Sequence, residues 1–202
     1  APAGQPAEEL IRLRAGAFDP LAAPRGPLSR NPALAERASQ PDRPALYLIQ
    51  FPGPIQRAWY AALAAAGLLV VTFVPDNAYL VWGPHTAIDK LTAAAPVRWS
   101  GLYQSQDALH PALVPLAAAA AGQPTDADVI VQVYDHPGAG QTIEQILKRA
   151  SAVFAQPQKT LAYQNIGVRL SSRDLAWLAA LPEVVDVEPR PIYHKLDEVQ
   201  AQ

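Results

Sequence analysis

The residues in this chain that could carry chemistry are few: four histidines, His85, His110, His136 and His194, and no cysteine. A Ser, His and Asp triad needs a nucleophile, a base within hydrogen-bond reach and an oxyanion hole. No Gly-x-Ser-x-Gly or Gly-Thr-Ser run offers the nucleophile. His136 beside Asp135 is the most suggestive pair, set in the turn Asp135-His136-Pro137-Gly138, where an Asp reads more simply as a backbone cap. No second His or carboxylate stands at ligand spacing, so neither a metal nor another cofactor is expected. We assign no catalytic residue, and we do not expect the chain to be an enzyme by itself.

The elements that would position any site come from a duplication. Tyr47-Leu48-Ile49-Gln50-Phe51 matches Val129-Ile130-Val131-Gln132-Val133, and Asn77-Ala78-Tyr79-Leu80-Val81 matches Asn165-Ile166-Gly167-Val168-Arg169. Leu91 to Val97 likewise matches Leu178 to Val184. Both copies follow the order strand, helix, strand, strand, helix, strand. The domain plan is a Pro-rich extension over 1–44, a first module over 45–103, a linker over 104–125, a second module over 126–189 and a tail over 190–202.

Within the first module, Ala45 to Phe51 reads as a strand, and Pro54 suits the first turn of a helix that ends at Gly67. Strands are expected over Leu68 to Val74, Ala78 to Trp82 and Val97 to Leu102, with Thr86 and Asp89 capping the second helix. In the second module, Ala127 to Tyr134 is a strand. Thr142 and Gln145 form a capping box for a helix whose apolar face runs to Phe154. Lys159 to Gln164 and Ile166 to Leu170 are expected to pair as a hairpin about Asn165, Ser171 and Asp174 to cap the second helix, and Val184 to Glu188 to close the sheet. Within 1–44, Glu8 to Phe18 is read as a short strand or helical turn docked on a module.

A βαββαβ order with short connections folds most simply into a four-stranded antiparallel sheet with both helices on one face. The fold class is therefore α+β, two ferredoxin-like modules in tandem, each leaving the other face of its sheet bare for a partner. The same plan carries acylphosphatase chemistry where the first strand-to-helix loop holds an Arg, and neither Pro52-Gly53-Pro54 nor Asp135 to Gly140 has one. RNA-binding versions stack bases on strand aromatics beside basic residues. Sixteen basic against eighteen acidic residues leave a net charge of -2, so no positive field favours nucleic acid or an anionic membrane. Apolar runs stop well short of the roughly 20 residues that a membrane helix needs.

Leu181-Pro182-Glu183-Val184-Val185-Asp186-Val187-Glu188-Pro189 resembles the end of the I9-type propeptide domain that precedes the catalytic domain of subtilisin-like serine peptidases. Pro75 to Val81 and Val97 to Tyr103 are similar to large secreted bacterial members that carry two such modules, and Arg12 to Leu21 to the segment before them. The resemblance implies an intramolecular chaperone and autoinhibitor whose partner is the catalytic domain of the same precursor. It also implies secretion, with a signal peptide removed before Ala1. Glu188 matches the family's acid that accepts bonds at a helix N-terminus, although Arg190 stands where the family often has a second acid. Leu196 then falls at P1 of the cleavage tail and Tyr193 at P4; a later cut would place Gln202 at P1 and Val199 at P4. Gly101 holds the place of Glu188 in the first module, which makes that module a spacer or brace. The alternative is a freestanding extracellular tandem module that binds a protein or ligand on its bare sheets.

Overall fold

The computed structural model describes residues 10–22, 40–119 and 124–191. It is an α+β molecule with two four-stranded antiparallel sheets and one two-stranded sheet. A hairpin of β1 (Ile11–Leu13) and β2 (Gly16–Phe18) comes first. The first module follows as β3 (Ala45–Gln50), α1 (Arg57–Ala66), β4 (Leu69–Val74), β5 (Ala78–Gly83), α2 (His85–Ala94) and β6 (Trp99–Leu102). Two short helices, α3 (Ser105–Ala108) and α4 (Val114–Ala118), flank a 3-10 turn at Pro111–Leu113. The second module holds β7 (Asp126–Tyr134), α5 (Ala139–Arg149), β8 (Ala152–Thr160), β9 (Tyr163–Ser171), α6 (Leu175–Ala179) and β10 (Val184–Pro189). The sheets run β4-β5-β3-β6 and β8-β9-β7-β10, the same order of second, third, first and fourth strand in each sheet.

Local chemistry explains most of the boundaries. Gly67 ends α1 at φ 90°, its N–H on the Ala64 carbonyl and the Leu68 N–H on that of Leu63, a Schellman closure that a residue with a Cβ would strain. Asp76 and Asn77 take the positive φ values of the β4–β5 turn, as short polar side chains tolerate. Ser171 accepts from the Arg173 N–H and opens the 3-10 turn that leads into α6.

Several expected boundaries move. Pro54 lies before the helix, which starts at Arg57. α2 begins at His85 with no side-chain cap, and Asp89 instead lies 3.8 Å from His85. α5 begins at Ala139, three residues before Thr142, whose hydroxyl donates to Glu183 at 2.8 Å instead of capping. That helix stops at Arg149, so Phe154 belongs to strand β8. The hairpin turns at Leu161 and Ala162, not at Asn165, which sits within β9 opposite Gln132 on one side and Gln158 on the other. In each case period and propensity marked the element, while packing against the sheet set its ends.

The core explains why β3 is buried at all six positions. Tyr47, Ile49 and Val81 pack with Leu63, Ile88 and Leu91 of α1 and α2, and Phe51 stacks on Trp59 at 5.5 Å. The alternate residues Leu46, Leu48, Leu80 and Trp82 point the other way. They join Ile11, Leu109 and Leu113 and the second module's Val131, Val133 and Val187 in one cluster. The first sheet is therefore covered on both faces, against the expectation of a bare one: an apolar second face of this size must be buried by something. The hairpin, the short helices and the second module cover it. Trp82 sets its ring 4.6 Å from His136 and 5.7 Å from Tyr134.

Candidate functional site

The second sheet differs because its strands alternate in polarity. Val129, Val131 and Val133 of β7, Ile166 and Val168 of β9 and Val187 of β10 face α5 and α6 and are buried. The pairings Asp186↔Gln132↔Asn165, Glu188↔Ile130↔Gly167 and Asp128↔Arg169 place the other set in rows across the outer face. These residues are half-buried or exposed, apart from Gly167. The N-terminal hairpin reaches this face at the β10 side, where Arg14 meets Asp186 and Glu188, and the part around Ile130 and Phe154 opens as a groove.

Glycine is required at one point of this face. The Phe154 ring lies directly over Gly167, and a Cβ there would run into it. The Arg190 guanidinium then sits 4.3 Å above the Phe154 ring, a cation–π contact. Beside it lies an open groove of about 720 Å³, with Ile130, Phe154 and Pro191 as its apolar surface and Asp128, Glu188 and Arg190 as its polar rim.

Two ion clusters flank the groove. Arg169 grips Asp128 through both ends of its fork, Nε to Oδ1 at 2.6 Å and Nη2 to Oδ2 at 3.0 Å. That bond, with the Arg169 and Arg190 charges, holds the Asp128 pKa below the usual carboxylate range against the opposing cost of burial. On β10, Nη1 of Arg14 donates to Asp186 at 2.7 Å and to Glu188 at 2.6 Å. Asp186 is the deeper acid: burial pushes its pKa up, the Glu188 charge adds to that, and Arg14 pulls it back.

Of the residues expected to meet a partner, Glu188 lies on this outer face at the rim of the groove. Tyr193, Leu196, Val199 and Gln202 lie outside the described residues, as does His194. Gly101 occupies the place of Glu188 in the first sheet, opposite Leu48, and the Trp99 ring packs where a side chain would go. The other histidines have structural partners. His110 accepts from the Ala112 N–H, and His136 accepts from the Gly138 N–H and lies 3.5 Å from Glu183. Among the described residues no three His, Cys, Asp or Glu side chains group as metal ligands.

Sequence reading missed Arg14, Asp186 and the Asp128–Arg169 pair as parts of this face. The strand alternation held the signal for three of them, since Asp128, Arg169 and Asp186 each fall at an outward position. Nothing local marks Arg14, whose partners lie 172 and 174 residues away.

A family model described as a domain of unknown function (DUF8729) matches residues 12–104. That stretch takes in the hairpin from Arg12 and the whole first module. No curated protein and no solved structure matches the chain.

Proposed function

We propose that this chain is a noncatalytic prodomain, two ferredoxin-like modules in tandem, acting as intramolecular chaperone and autoinhibitor of a subtilisin-like catalytic domain made in the same secreted precursor. The shared strand order, with the paired helices of each copy on one side of its sheet, supports the ferredoxin-like reading. The observation that carries the docking is the contrast between the two outer faces. The first is apolar and occupied by the chain's own residues, while the second pairs an open groove with fixed charges and meets the hairpin through the Arg14 side chain.

A face of this kind suits surface helices of a folded partner, and Glu188 at its rim would accept bonds from unpaired amides at a helix N-terminus. The tail after Pro189 would run in extended form into the catalytic cleft, Tyr193 and Leu196 filling its P4 and P1 pockets by strand addition. The first module would brace the second, since its own sheet is already engaged on both sides.

The chaperone half is tested by refolding a denatured subtilisin-like catalytic domain with and without the chain supplied in trans. Recovered peptidase activity should depend on the chain, and equal recovery without it would reject that half. A freestanding binding module predicts no effect on refolding.

A further inference from the structure

Building on the reading that Glu188 meets the partner, we propose that Arg14 is the positioning residue of that acid: the N-terminal hairpin holds Asp186 and Glu188 together as one preformed recognition site. A single nitrogen, Nη1 of Arg14, donates to both carboxylates. The two acids stand at alternate positions of one strand, roughly 7 Å apart along it, and would repel each other without a cation between them. With the cation in place, Glu188 has one oxygen tied and one rotamer favoured, while its side chain remains 35% exposed against 16% for Asp186. Asp186 is thus the anchor and Glu188 the group presented.

The hairpin is fixed independently of this contact. Arg12 pairs with Asp76 at 2.6 Å, the Gln50 amide donates to the Leu10 carbonyl, Ile11 is buried and Phe18 meets Trp99 edge-on at 6.1 Å. The backbone of Arg14 therefore belongs to the first module and its guanidinium to the second. This gives the first module a role in recognition without any contact of its own with the partner. The groups that face Asp186 are Arg14, Glu188 and His110, together with the Tyr103 hydroxyl nearby. Removing the Arg14 charge should therefore push the Asp186 midpoint further up.

The test uses the full chain in two readouts, carbon-detected titration of the Asp186 carboxyl and inhibition of a purified mature subtilisin cleaving a chromogenic peptide. Arg14→Ala should raise the Asp186 midpoint and weaken inhibition about tenfold, the factor that corresponds to about 1.4 kcal/mol. Arg14→Lys should do less of both, because it keeps the charge but loses the planar fork. Lys148→Ala, which removes an exposed cation paired with Glu144 on α5, should move neither. An unmoved midpoint in Arg14→Ala, unchanged inhibition by that variant, or equal effects from Lys148→Ala would each overturn the positioning role. A wild-type chain that fails to inhibit while Arg14→Ala still moves the midpoint would reject the docking reading and leave the positioning standing.

Discussion

The hydroxyl of Tyr103 donates to the carbonyl of Val185 across 2.9 Å, joining the end of the first module to the last strand of the second. The same oxygen also contacts the Asp107 carbonyl at 2.8 Å. Tyr103→Phe leaves the ring and removes the single O–H that these two buried carbonyls share, and should cost about 1–3 kcal/mol in urea denaturation. Burial, with the charges of Asp107 and Asp186, pushes the Tyr103 pKa well above its ordinary 10. A raised folded pKa gives stability that is full below the unfolded value and lost as pH rises toward the folded one. The stability gap between wild type and Tyr103→Phe should therefore hold at neutral pH and change only above about pH 10.

Asp128 and Asp186 should respond to amide substitution with opposite signs. The Asp128 pKa is lowered, chiefly by Arg169, so its ionised form stabilises the fold above the ordinary carboxylate pKa and that contribution fades as acid protonates it. Asp128→Asn should lower the midpoint of urea unfolding at pH 7, by a margin that shrinks as pH falls below the ordinary carboxylate pKa, most visibly at low salt. The Asp186 pKa is raised by burial, so its charge opposes folding at neutral pH. Asp186→Asn should raise the unfolding midpoint at pH 7 relative to wild type, with the gain vanishing below about pH 4.

The two outer faces explain how much of this molecule was legible. Along Asp128-Val129-Ile130-Val131-Gln132 the ends of the outward set, Asp128 and Gln132, are polar, which marks one buried and one wet face although Ile130 interrupts the alternation. Tyr47-Leu48-Ile49 does not alternate, and its continuous apolar run already indicated a sheet covered twice; reading the first module as half-bare overlooked this. The internal match reads the same element order in both stretches but is out of step with the pairing by one residue at the third strand. Gln50 pairs with Ala78, whereas Gln132 pairs with Asn165, the residue matched to Asn77. A slip of one inverts the faces, and Asn165, whose type alone suggests a turn, stands in mid-strand. The spacing of Phe154 continues the α5 stripe and so reads as helix, and only the sheet's demand for an edge strand overrides that. The contact of Arg14 with residues at the far end of the chain has no local signal at all.

The buried outer face of the first sheet makes its own prediction. A fragment over 40–103 lacks the hairpin and the second module, and so exposes Leu46, Leu48, Leu80 and Trp82 together. It should bind an environment-sensitive apolar dye and self-associate in light scattering, whereas the full chain should do neither. A monomeric fragment that leaves the dye dark would mean the face needs no cover.

Substitutions on the second outer face should separate binding from folding. Ile130→Asp places a charge on a half-buried position directly opposite Glu188, and should cost about 1 kcal/mol in urea. Gly167→Ala, by contrast, forces the Phe154 ring off the sheet, which should cost about 1–3 kcal/mol. Thermal unfolding of the two variants side by side would rank them, and a larger loss in Ile130→Asp would mean that the groove is part of the core.

The most direct measurement is inhibition of a mature subtilisin by the full chain, by Ile130→Asp and by a chain ending at Pro191, each first shown to be folded by circular dichroism. The expected result is tight, slow-onset inhibition by the full chain that is lost on removing the tail and weakened by more than tenfold in Ile130→Asp, about 1.4 kcal/mol or more. No inhibition by the full chain, or inhibition indifferent to both the tail and Ile130, would contradict the assignment of this open face and tail to a peptidase partner.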